Sequence, residues 1–122
     1  NCEGYRTRTM TNYEELLHRT RDILYKHIKT EFMLRNKIMW FGTMTINWVN
    51  VKEDSVTLQF VMNRGMSLYS HTMNILNDLF LRLFRRKISE SENYNDFIMY
   101  NKLTLTYEEL SYVYTYLSLK YR

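Results

Sequence analysis

The sequence predicts an α+β domain, an antiparallel sheet with two to three helices packed on it. Three observations predict it. Apolar residues recur at helical spacing over 11–32. Over 38–62 the period drops to two, in two runs joined by the polar "KEDS". A second broad helical stripe then runs over 67–87. With 122 residues the chain can bury a core without disulfides, and the expectation is one globular domain over 11–122.

Residues 1–10, "NCEGYRTRTM", are polar, with Tyr5, Thr7 and Thr9 alternating against Arg6, Arg8 and Met10. They are expected to be a short edge strand or a polar arm that orders on binding. Thr11 followed by Glu14 has capping-box spacing. Tyr13, Leu17, Leu24, Ile28 and Phe32 then fall on one helical stripe, Thr20 fills its missing turn, and Leu16 and Ile23 widen it. The first helix is therefore expected over about 20 residues from Thr11.

The β-branched and aromatic content of 38–51 favours a strand. Ile38, Trp40, Met44, Ile46 and Trp48 share one parity; Met39, Phe41, Val49 and Val51 share the other. "VTLQFVM" returns as a second strand with Val56, Leu58, Phe60 and Met62 on one face. The two make a hairpin, 38–51 with 56–62. Ser67 is placed to cap the next helix, which carries Leu68, Met73, Leu76, Leu79, Phe80, Leu83 and Phe84 and is expected to end near Lys87. "SESENYND" reads as loop and "FIMYNKLTLT" as a strand. Over 107–121 the tyrosines at 112, 114 and 116 alternate as in a strand. The Thr106/Glu109 capping box and the spacing of Leu110, Val113, Tyr114, Leu117 and Tyr121 favour a helix. The resulting order, (β)αββαβα, contains the split β-α-β topology of ferredoxin-like domains, although Arg6 and Arg8 are poor residues for the central strand that fold requires.

Composition narrows function only by exclusion. The three histidines lack zinc-site spacing, and Cys2 is terminal. No serine sits in a nucleophile elbow, and the glycines at 4, 42 and 65 form no phosphate-loop pattern. The carboxylate pairs Glu14/Glu15 and Glu108/Glu109 are expected in first helical turns, where acids favour the dipole, and Glu53/Asp54 in a turn. Tyr13-Glu-Glu-Leu16 and Tyr107-Glu-Glu-Leu110 resemble phosphorylation sites but are better explained as helix starts. No catalytic residue, metal ligand or cofactor is assigned, and the chain is expected not to be an enzyme. A cleft holding His71 or His27 beside a carboxylate would reopen that question. No apolar run is long enough to span a bilayer. A single cysteine fits a reducing, intracellular setting, cytoplasmic or nuclear. The chain opens on Asn1 rather than Met, so an excised or processed part of a larger protein is expected. Phe, Tyr, Met, Ile, Asn and Lys fill 50 positions and alanine none, which points to an AT-rich genome such as that of a large DNA virus or a parasite.

Two functions remain. The first is a protein-interaction or assembly domain, by self-association or with a protein partner. Tyr, Trp and Met are interface residues, and a hairpin apolar on both faces leaves Met39, Phe41, Val49 and Val51, with Tyr112 and Tyr116, in need of cover. The second is nucleic-acid binding. In "LFLRLFRRK" Arg82, Arg85 and Arg86 lie three and four apart on one helical side, with Lys87 adjoining and Arg64 in the "NRGMS" turn. The plainer reading of that run is cations offsetting the negative end of a helix. The net charge of +4 favours an anionic partner without requiring one.

Overall fold

The computed structural model describes residues 2–37, 44–63, 68–86, 92–93 and 98–122. It is α+β. Helix α1 spans Cys2–Asn36. Its inner stripe is the predicted one from Leu17 on: Leu17, Thr20, Leu24, Ile28 and Phe32 are buried, while Tyr13, expected at its start, is exposed. Thr20 is tolerated there because its hydroxyl donates to the Leu16 carbonyl at 2.7 Å. The helix stops where Lys37 turns left-handed (φ 56°), its N–H bonding the Met33 carbonyl at 2.9 Å.

The start of α1 corrects two expectations. Residues 2–10 are helical, so they are not an edge strand, and Thr11 lies inside the helix rather than at its cap. This segment contains no proline, and extending a helix already nucleated by packed turns costs far less than starting one. Glu14 and Glu15 are accordingly mid-helix residues.

Strands β1 (Met44–Val49) and β2 (Ser55–Asn63) form the hairpin, with Met44 opposite Met62 and Val49 opposite Thr57. The expected residues 38–43 of the first strand lie outside the described residues. β2 also pairs antiparallel with β4 (Ile98–Thr106), and β4 with the two-residue β3 (Glu92–Asn93), within the segment expected to be loop. The sheet order is β1-β2-β4-β3. In a ferredoxin-like sheet a first strand would separate β2 from β4. Here that segment is helical and β2 joins β4 directly, so that topology is not formed.

Helices α2 (Leu68–Phe84) and α3 (Tyr107–Lys120) complete the order. α3 settles the helix-or-strand question: Thr106 Oγ1 accepts from the Glu109 N–H, and Glu109 accepts from the Thr106 N–H. Such a cap contributes about 1 kcal/mol. Leu110, Val113 and Leu117 then face inward, which separates the three tyrosines that a strand would have aligned.

All three helices cover one face of the sheet. Met44, Ile46, Val56, Leu58, Phe60, Met62, Leu103 and Leu105 meet Leu24, Ile28, Ile75, Leu76, Phe80 and Leu117 in a single core. α1 and α3 run in the same direction, the Tyr13 and Tyr107 rings meeting at a tilt near one end and His27 meeting Tyr121 at the other. α2 opposes α3, with Arg82 at Tyr116 and Arg86 at Glu109. The other sheet face carries Thr45, Asn47, Val49, Thr57, Gln59, Val61, Lys102 and Thr104, and no described helix lies on it.

Candidate functional site

The two long borders of the sheet have different chemistry. Beyond β3, the outer border of β4 is met by Arg86, whose guanidinium donates to the Thr104 carbonyl at 3.2 Å and pairs with Glu109 at 2.5 Å. Arg86 is brought there by the end of α2. Arg85 adopts φ 56° and its N–H bonds the Leu81 carbonyl at 2.9 Å, so the chain leaves the helix toward β4.

The outer border of β1 is unlike this. Its six residues, "MTINWV", contain no charge and no proline. Among the described residues nothing hydrogen-bonds to its outward main-chain groups. Its inward side chains are fixed: Met44 and Ile46 are buried, and the Trp48 indole donates to the Leu17 carbonyl of α1 at 3.0 Å. The strand is therefore anchored on its helix side, while among the described residues its outer row of backbone donors and acceptors has no partner. Edge strands usually carry lysine, proline or a bulge to prevent pairing with another chain.

A second feature lies within the helix layer. A cleft of about 400 Å³ opens between the three helices, lined by His27, Glu31 and Arg35 of α1, Asp78 and Arg82 of α2, and Tyr116 and Lys120 of α3. A chain of charges crosses it. Lys120 donates to Glu31 at 3.0 Å, Arg35 to Glu31 at 3.3 Å, and Arg35 to Asp78 at 2.7 Å. Burial, the largest influence, would raise the Glu31 pKa, but the hydrogen bonds from Lys120 and Arg35 and the Lys120 charge together outweigh it, and the carboxyl is held below its ordinary value. Arg82 donates to the Tyr116 hydroxyl at 3.2 Å.

His27 is buried, and its Nδ1 lies 2.6 Å from the Tyr121 hydroxyl. Desolvation, and then the Lys120 charge, pull its pKa down to about 4. Burial pushes the Tyr121 phenol up to about 12. The imidazole is thus neutral at physiological pH and a weak base. The cleft does hold a histidine and a carboxylate, one turn apart on α1. Yet Glu31 bonds Arg35 and Lys120, and His27 bonds Tyr121, so the two do not form an acid–base pair.

The predicted site residues are dispersed. Arg82, Arg85 and Arg86 do not share a helical side, because α2 ends at Phe84, before the last two. Arg82 faces the cleft, Arg85 is exposed, and Arg86 borders β4. Val49 and Val51 part company as well. Asn50 is left-handed (φ 49°), which breaks the alternation, so Val49 stays on the open sheet face while Val51 lines a smaller apolar cleft with Tyr13, Leu17 and Tyr107. In that cleft the Tyr107 hydroxyl donates to the Lys52 carbonyl at 2.9 Å. Tyr112 is exposed against Phe84, and Tyr116 is half-buried at Arg82. Arg64, Lys87, Met39 and Phe41 lie outside the described residues.

Sequence reasoning missed Glu31, Asp78 and Lys120. The Glu31/Arg35 spacing of four was a readable signal; the pairing with α2 and α3 was not, since it depends on helix packing. Burial of His27 was also readable, because it lies three residues after Leu24 and beside Ile28 on the inner stripe.

Among the described residues no helix is long and apolar enough to cross a membrane, and no group of three His, Cys, Asp or Glu side chains is placed to hold a metal. Comparison with protein-family models, curated proteins and solved structures gave no match.

Proposed function

We propose that this chain is a non-enzymatic assembly domain that joins a second copy of itself through β1. The observation that carries this reading is the charge-free border of β1, unpaired among the described residues, set against the border of β4, which β3 and Arg86 meet. The strand is also self-complementary. Antiparallel pairing about a two-fold axis at Asn47 places Asn47 opposite its own copy. Thr45 then faces Val49 on the open face, and Ile46 faces Trp48 on the helix side. Each is an uncharged or apolar pair of the kind that stabilises neighbouring strands by about 0.2–1 kcal/mol. The net charge of +4 repels two copies at long range, and a contact strand without lysine or arginine adds nothing to that repulsion.

The nucleic-acid reading has less support. It rested on arginines sharing one helical side, and Arg86 is engaged by Glu109 and Thr104. The single cysteine, Cys2, supports a reducing intracellular setting.

Sedimentation velocity over a range of concentrations tests the assembly reading. Wild type is expected to pass from monomer to dimer as concentration rises, and Asn47→Lys to remain monomeric with an unchanged circular-dichroism spectrum. A wild type that stays monomeric throughout, or an Asn47→Lys variant that dimerises equally well, overturns it. Salt-sensitive binding of an oligonucleotide by a monomer would favour the nucleic-acid reading instead.

A further inference from the structure

The cleft between the helices collects one cation from each of them: Arg35 from α1, Arg82 from α2 and Lys120 from α3. Two carboxylates, Glu31 and Asp78, answer them. Arg35 bonds both acids and Lys120 bonds Glu31, so those four charges form one connected chain. Arg82 is the surplus. Its bond uses one guanidinium nitrogen and goes to a neutral acceptor, the Tyr116 hydroxyl. The cleft therefore has one more positive charge than negative.

We propose that this cleft binds a small phosphate-bearing molecule, with Arg82 as the principal phosphate contact and Lys120 and the Tyr116 hydroxyl as secondary donors. A guanidinium presents a planar fork that fits two phosphate oxygens at once, and Arg82 has that fork available at the cleft wall. Lys120 can donate further protons while keeping Glu31, since an ammonium carries three. The volume of about 400 Å³ exceeds that of a bare phosphate and lies in the range of small-molecule sites, so the ligand is a phosphomonoester with an organic remainder. Apolar walls from Ile75, Leu79 and Leu81 are placed to meet that remainder. No lining residue belongs to the sheet, so this site stands apart from the β1 contact and does not depend on it.

The test is a titration of the whole chain with inorganic phosphate and with phenyl phosphate at constant ionic strength, read by amide chemical shifts. Saturable shifts are expected around the cleft, tighter for phenyl phosphate. Arg82→Ala should weaken them at least about tenfold, the effect of losing a charged hydrogen bond of ~1.5 kcal/mol or more. Lys102→Ala, on the open sheet face, should leave them unchanged. Arg82 is exposed, and the fold of its variant is checked by circular dichroism. Shifts that fail to saturate, that follow ionic strength rather than phosphate, or that survive Arg82→Ala overturn the proposal.

Discussion

The outer sides of β1 and β4 differ among the described residues: β4 is met by the short strand β3 and by Arg86, while β1 has no hydrogen-bonded neighbour there. At β4 the end of α2 delivers Arg86, which bonds a strand carbonyl and an acid of α3 together. At β1 the chain places Thr, Ile, Asn, Trp and Val in a row without a charge. Cover at β4 therefore comes from β3 and from the end of a neighbouring helix, not from charges on the strand itself. β4 itself carries only Lys102 among charged residues, so the charge at its outer side is supplied by Arg86.

The largest expected effect removes the support of both borders together. Leu58 is fully buried on β2, the strand next to β1 and β4 alike. Leu58→Ala is expected to cost about 2–5 kcal/mol of unfolding free energy in urea denaturation. A loss below 1 kcal/mol would mean that β2 is not the centre of the core.

Acid weakens the helix layer behind the sheet. His27 has an ordinary pKa of 6.5 when unfolded and about 4 when folded. Its depressed value means that the unfolded chain binds the extra proton first. Stability is therefore full above pH 6.5 and lost as pH falls toward 4, by roughly 1–3 kcal/mol with solvent screening allowed for. Glu31, held low by Lys120, adds its own loss only below its unfolded pKa of 4.5. Replacing His27 with Gln should remove the part of the slope between pH 6.5 and 5; an unchanged slope in thermal melts at several pH values would assign it elsewhere.

A smaller effect sharpens the comparison itself. Arg86→Ala should destabilise by about 1 kcal/mol, since its salt bridge is partly exposed. It should also give β4 a second adhesive border, seen as species larger than a dimer in light scattering. Association that remains capped at the dimer would show that Arg86 is not what closes that border. The narrowest effect is at the cap: Thr106→Ala should cost about 1 kcal/mol, like Arg86→Ala, but leave association untouched.

Much of this fold was legible in the sequence because it rests on local pattern. The stripe from Leu17 to Phe32, the alternation of Val56, Leu58, Phe60 and Met62, and the Thr106/Glu109 box each specify their own element, and each appears as expected. Residues 2–10 were misread because their alternation is weak and a helix can propagate through any proline-free stretch. The arginine run was misread because sequence spacing assumes a continuing helix. One left-handed residue, Arg85, ends α2 and sends Arg82 and Arg86 to different surfaces. Val49 and Val51 failed for the same reason, at Asn50. The cleft was the least legible feature, since it takes residues from three helices whose packing no local pattern encodes.

The central claim is that β1 pairs with its own copy about Asn47. The most direct measurement mixes two variants, Asn47→Lys and Asn47→Asp, in sedimentation velocity. Each alone should be monomeric, because like charges would stand opposite each other across the two-fold axis. Mixed in equal amounts, they should form a heterodimer. If each variant alone dimerises as wild type does, or the mixture stays monomeric while wild type dimerises, the two-fold pairing at Asn47 is wrong.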